Sequence, residues 1–184
     1  FSYQEYFERM TDRKSWGKPL SALLGALKMQ VEFGLPSIGG KDSMSGTFEN
    51  INVPPMLMAF GITTVDAGQV ISPELKYEGN KLYLIKHTPL DNYMPNVEQL
   101  KANWKYVHEQ VQADNIVSGY ALGFGGVAEA ICKMSFGNGL DAKINIDEKE
   151  LFNYGYGSIL VEAANALDYP NAILIGEVTD GEDS

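Results

Sequence analysis

Gly39-Gly40-Lys41-Asp42-Ser43-Met44-Ser45-Gly46 is the stretch on which the reading of this chain turns. Leu35-Pro36-Ser37-Ile38 runs into it and reads as a short apolar strand. A strand that breaks into paired glycines lets backbone approach a ligand closely, and successive amide N–H groups can form an anion-binding concavity. In that reading the amides of Gly39 and Gly40 cradle a phosphate and Lys41 adds a point positive charge. Asp42 supplies a hard oxygen ligand suited to Mg²⁺. Ser43 and Ser45 offer hydroxyl donors to phosphate oxygens. The spacing is not that of a P-loop: Leu35 stands where the first glycine is required, and Asp42 follows Lys41 in place of Ser or Thr. The plainer alternative is a tight Gly-Gly turn between two strands, with solvated charges around it.

The 184 residues are enough for one domain or two small ones. A net charge of −10 argues against nucleic acid or an acidic membrane surface as partner, because phosphate backbones are met by Lys and Arg clusters. The single cysteine, Cys132, allows no intrachain disulfide and fits a reducing cytoplasm. No apolar run is long enough to read as a membrane-spanning helix. The chain opens on Phe1 and closes on Gly181-Glu182-Asp183-Ser184, so both ends read as cuts through a longer protein.

Ser2-Tyr3-Gln4-Glu5 has the form of a capping box, and the spacing of Tyr3, Tyr6, Phe7 and Met10 predicts a short helix over 3–10. Trp16 is either a core anchor or an interface residue. Pro19 suits a first helical turn, and Leu20, Leu23, Leu24, Leu27 and Val31 predict a helix over 19–33 that Gly34 stops. Met56–Val65 reads as a buried strand whose methionines and Phe60 serve as core. A domain boundary is expected near Val70–Glu78. Beyond it, Lys81–Lys86 suits a strand buried on both faces. Asn96 caps a helix with Val97, Leu100, Trp104, Val107 and Val111 on one face. A strand over 115–122 breaks at Gly123-Phe124-Gly125-Gly126 into a helix over 127–136, and a glycine loop at a helix N-terminus is a natural anion site. His108 reads as a surface or partly buried residue rather than a ligand, and Cys132 as packing. Further strands are predicted at 142–146, 158–162 and 172–178, with a short acidic helix over 147–153.

The wording itself adds to this. Leu35–Phe48, Val53-Pro54-Pro55, Val70–Lys76, Gly125–Ala130 and Leu151-Phe152 closely resemble the phosphoribosylformylglycinamidine synthase family of purine biosynthesis. The resemblance touches nearly the whole chain and implies a piece of the second synthetase repeat. It implies ATP and Mg²⁺ as cofactors, formylglycinamide ribonucleotide as substrate, and ammonia delivered by a separate glutaminase domain. In that family ATP phosphorylates the amide oxygen and ammonia then displaces phosphate. Lys41 and Asp42 would be the catalytic pair, Asp42 the metal contact, and Gly39, Gly40, Ser43, Ser45, Gly125 and Gly126 the phosphate and nucleotide contacts.

The chain also departs from the family's pattern. Many members carry Asp where Phe124 stands and a glutamate pair where Tyr154 and Gly155 align, and Lys133 occupies a further acidic position. Three acidic losses imply a degraded nucleotide–metal site in this repeat. One competing reading is therefore a non-catalytic repeat that supports the active half and the glutaminase. Another is a different ATP-using relative, such as a thiamine-phosphate kinase or a hydrogenase maturation factor. The expected fold is mixed α+β and α/β of the aminoimidazole-ribonucleotide (AIR) synthetase type. Residues 1–70 would be the end of an N-terminal domain, and 71–184 a C-terminal domain with a mixed sheet flanked by helices. The first piece lacks its opening strands, so its apolar sheet face is expected to seek a partner, as in a dimer.

Overall fold

The computed structural model describes residues 1–181, and Glu182–Ser184 of the acidic end lie outside the described residues. The chain divides into two compact units, Phe1–Thr64 and Val65–Ser184.

In the first unit, β1 (Ser2–Tyr6) is the middle strand of a three-stranded sheet, flanked by β2 (Gly39–Ser43) and β5 (Met56–Phe60). β1 runs parallel to β2 and antiparallel to β5. A small hairpin, β3 (Thr47–Phe48) and β4 (Ile51–Asn52), lies between them in sequence. The helix predicted over 3–10 is thus a strand. Tyr3, Tyr6 and Phe7 favour a pleated surface, and pairing on both sides outweighs an isolated capping box. The strand predicted at 35–38 is irregular, and pairing with β1 begins at Gly39.

Helix α1 spans Arg13–Phe33 and so starts well before Pro19. Asp12 caps it: its carboxylate accepts from the Ser15 amide at 2.8 Å, while Ser15 Oγ accepts from the Asp12 amide at 3.0 Å. This is a capping box with serine in the usual glutamate position. Pro19 forfeits one intrahelical bond and the helix continues through it. Gly34, at φ 65°, closes the helix as predicted. The periodic Leu20, Leu23, Leu24, Leu27 and Val31 are 50–72% exposed. Trp16 of α1 and Met56, Leu57 and Phe60 of β5 are exposed as well. Met56–Phe60 is therefore shorter than the predicted strand and is not a buried one.

The second unit is built on a five-stranded sheet of order β7-β9-β6-β10-β8: β6 (Lys81–Ile85), β7 (Ile116–Ala121), β8 (Asp141–Ile144), β9 (Ile159–Ala163) and β10 (Ala172–Thr179). All its strand pairings are antiparallel. The mixed character expected of it is confined, among the described residues, to an isolated parallel bridge between Ser72 and Ser118. The alternation along β6 sorts the core into two layers. Leu82 and Leu84 pack with Val127, Ala130 and Met134 of helix α3 (Gly126–Ser135). Tyr83 and Ile85 face the side that holds Tyr106, Val107 and Val111 of helix α2 (Val97–Gln112). A short helix α4 (Glu148–Leu151), capped by Asp147, lies against α3. Cys132, expected in packing, is exposed, because α3 turns Val127, Ala130 and Met134 inward and Cys132 away.

Buried polar groups tie the loops to this sheet. Glu162, wholly buried on β9, accepts from the amides of Lys76 (2.8 Å) and Tyr77 (3.0 Å) and from Asn80 Nδ2 (2.7 Å). Asn103, also wholly buried, donates to the Lys86 carbonyl and accepts from Tyr169 and Asn171. His87 accepts from the Asn96 amide at Nε2, so Nδ1 carries the proton given to the Tyr156 carbonyl. Glu74 is held by Lys76 and then Ser72, which lower its pKa from 4.5 to about 2.

Two outcomes follow for the second unit. Glu162→Gln turns an amide NH₂ towards donors that need an acceptor, and should lower the unfolding free energy on the order of 1–3 kcal/mol in urea melts. Glu74 titrates below its unfolded value, so its contribution is full above pH 4.5 and fades as pH falls towards about 2. An NMR titration should find its midpoint at about 2, and Lys76→Met should return it towards 4.5.

Candidate functional site

The Gly39–Ser43 stretch folds as an edge strand and not as a loop. Successive side chains of a strand point to opposite faces, and successive amides point to opposite sides in the sheet plane. The amides of Gly39 and Gly40 therefore do not converge on one anion. Gly40 owes its identity to packing: a Cβ there would sit 2.3 Å from the Tyr3 carbonyl oxygen of the neighbouring strand. Lys41 and Asp42 stand on opposite faces. Lys41 places Nζ over the Tyr6 ring, 4.9 Å from its centroid. Ser43 follows on the Lys41 side, half-buried, and Ser45 lies exposed in the connection beyond the strand.

Asp42 has a neighbour that sequence reasoning missed. Glu5 is its register partner on β1, and paired residues of parallel strands share a face. On the other side of Glu5 the partner is Leu57 of β5. Glu5 is only 4% exposed, and its Oε1 is buried without a hydrogen-bond partner. Burial first, and then the charge of Asp42, push its carboxyl above the ordinary glutamate value. Both carboxylates line a groove of about 490 Å³ whose apolar wall is Leu23, Leu24 and Leu27 of α1, and Gln30, Ser37 and Lys41 line it as well. The aromatic content of Tyr3, Tyr6 and Phe7 was the signal for a strand at this position, and with it for the Glu5–Asp42 pair. Among the described residues no group of three or more His, Cys, Asp or Glu side chains is placed to hold a metal. A cation here would thus complete its shell with water or substrate oxygens, as Mg²⁺ commonly does.

Gly125 and Gly126 belong to the second unit, at the start of α3. The Gly125 amide donates to Glu129 Oε2 at 2.9 Å, and the Gly126 amide to the Gly123 carbonyl at 3.3 Å. The helix N-terminus is already met by a carboxylate of its own first turn, whose pKa is lowered first by Lys133 and then by the Gly125 amide. Gly126 has φ 63°, and a Cβ would lie 2.4 Å from the Asn153 carbonyl oxygen, so tight passage of the following loop accounts for it. Phe124 stacks on Tyr154 at 4.9 Å, and both rings are exposed. This corner, with aromatic rings and occupied amides, does not fit a Mg²⁺–nucleotide phosphate as it stands.

No family model and no curated protein matches the chain. Solved structures do. PurL of Thermotoga maritima complexed with ATP matches 97% of this chain with a TM-score of 0.65 at 12% identity. PurLQS from Thermotoga maritima matches with a TM-score of 0.60 at 18% identity. HypE of E. coli, a hydrogenase maturation protein, matches with a TM-score of 0.58 at 12% identity. The chain spans 33% of the PurL chain, 28% of the PurLQS chain and 67% of HypE. At these identities the likeness speaks for the fold, and the fold is the AIR-synthetase-like one that PurL and HypE share.

Proposed function

We propose that this chain is part of a phosphoribosylformylglycinamidine synthase, the ATP- and glutamine-dependent enzyme that amidates formylglycinamide ribonucleotide in purine biosynthesis. The observation that carries this reading is a coincidence of wording and extent. The Gly-Gly-Lys-Asp-Ser-Met stretch lies in a fold that matches PurL over 97% of this chain and only 33% of PurL. PurL structures of this fold are known with ATP and with FGAR, and PurLQS from Thermotoga maritima has been solved as well. Formylglycinamide ribonucleotide and a glutaminase partner are assigned to the parent of this chain by that analogy. HypE is the runner-up on fold, and the Lys-Asp-Ser-Met wording weighs against it.

Within this reading Lys41 contacts phosphate from one face of β2, assisted by Ser43 and Ser45. Asp42 orients a metal or the substrate from the other face. Bound Mg²⁺ would neutralise charge on the transferred phosphoryl group. The opposed faces mean that a single ligand can meet both side chains only at an end or along the free edge of β2, where one amide of the glycine pair faces outward. Gly125 and Gly126 shape the α3 turn, with Glu129 in the place of an anion. That occupied corner supports the second reading, in which this repeat holds the active half and the glutaminase in place without a working metal site of its own. The leucine stripe of α1 supports the expectation that the first unit has a partner, either the rest of the parent chain or a second copy.

The test is ammonia-dependent synthesis of the amidine by the full-length parent, wild type against Asp42→Asn. A fall of about a hundredfold or more makes β2 part of the active site. Turnover close to wild type makes it structural and moves the chemistry to the other repeat, and an inactive parent removes the family reading.

A further inference from the structure

We propose that His87 is a proton-sensitive latch. As a neutral ring it fastens the 88–96 segment at the start of α2, and on protonation it loosens that segment while keeping hold of the 154–157 loop. The device lies within the second unit and does not depend on the family reading above.

The ring sits where three segments meet. It follows β6, its Nε2 accepts from the Asn96 amide at 3.1 Å, and its Nδ1 donates to the Tyr156 carbonyl at 2.9 Å. Two further contacts fix its place. The His87 amide donates to Oγ of the buried Ser158 at 2.9 Å. A Cβ on Gly157 would lie 3.1 Å from Nδ1, so the backbone there passes directly against the ring.

The two ring contacts respond differently to a proton. A neutral imidazole is a donor at one nitrogen and an acceptor at the other, and a charged one is a donor at both. Protonation therefore preserves the bond to the Tyr156 carbonyl and sets N–H against N–H at Asn96. Asn96 is the N-cap of α2, and its amide then loses its acceptor. Among the described residues the ring forms no ion pair that would offset its charge. The charged and titratable groups on the elements that meet there are Lys86, paired with Glu150 at 2.9 Å, Asp91 of the segment, Glu98 in the first turn of α2, paired with Lys101, and the hydroxyls of Tyr154 and Tyr156. Gln99 still holds the segment through the Thr88 amide at 2.7 Å and through Asn96 Oδ1 at 3.2 Å. The change is thus a loosening of the segment and not an unfolding of α2. Thr88, Leu90, Asp91 and Asn92, with Asn96 and Gln99, line a groove of about 490 Å³, whose shape follows the charge on the ring.

Imidazoles change charge between about pH 8 and about pH 5, which sets the range of the test. NMR of the 184-residue chain reads the ring tautomer by long-range proton–nitrogen correlation and amide protection by hydrogen exchange. At the alkaline end His87 is expected as the Nδ1-protonated tautomer. Towards the acid end the Asn96 amide, corrected for its intrinsic exchange rate, should lose about tenfold or more of its protection. The Ser158 amide, bonded to the Gly155 carbonyl, should keep its own. His87→Gln retains an acceptor and a donor without the titration, and should remove the pH dependence. His108→Gln, which changes the exposed histidine of α2, should leave it intact. An Nε2-protonated ring at the alkaline end, unchanged Asn96 protection at the acid end, or equal losses at Asn96 and Ser158 overturns the proposal. If His87→Gln fails to fold, the wild-type tautomer and the His108→Gln profile decide it.

Discussion

The two-residue repeat of an extended strand governs what the Gly39–Ser43 stretch can do. Once these residues pair with β1, Lys41 is committed to the face that carries Tyr6, and Asp42 to the face that carries Glu5. No side-chain rotation reverses that assignment, because a one-residue slip would move every side chain of β2 to the other face. The charges that look like one cluster in the sequence are thereby sorted onto two faces of the strand, although Lys41 also borders the groove of the carboxylates. One face carries a cation over an aromatic ring. The other carries a pair of carboxylates under an apolar wall.

The second unit obeys a different economy. Its sheet is covered on both faces, so β6 and β9 are apolar at nearly every position. The exceptions are informative. Glu162 interrupts β9 with a carboxyl group, and the amides of Lys76 and Tyr77 converge on it. The segment before β6 is thus fixed to the sheet by a buried carboxylate and not by apolar contact. Asn103 does the same for the ends of β6 and the loop before β10, through Lys86, Tyr169 and Asn171. Both groups are polar residues whose worth lies in being fully satisfied.

Much of this second unit was legible in the sequence. Continuous apolar runs marked β6 and β9, the periodic Val97, Leu100 and Val107 marked α2, and Asn96 marked its cap. These signals are local, and the core they imply lies within the unit. The first unit was harder to read. Ser2–Glu5 carries a helix signal that tertiary pairing overrides, and Asp12 caps a helix through Ser15, a pairing outside the usual Ser/Thr-x-x-Glu form. The candidate site suffered most. The residue types at Gly39–Ser45 were visible at once, but the partner of Asp42 is far away in the chain, and only the register of β1 against β2 reveals it. Gly125 and Gly126 had the composition of an anion-binding turn. Glu129, one helical turn further on, fills that role in a way that spacing does not announce.

The exposed leucine stripe of α1 has a colloidal consequence. Molecules of this chain repel one another through a net charge of −10 and attract through Leu20, Leu23, Leu24, Leu27 and Val31. The repulsion acts across a Debye length that shrinks from about 10 Å at 0.1 M salt to about 3 Å at 1 M. The attraction is short-ranged, and excluded salts such as sulfate strengthen it. Dilute buffer keeps such particles apart, whereas a salting-out medium removes the long-range barrier and favours contact through the stripe. The helix that gives the groove its apolar wall therefore also sets the phase behaviour of the chain.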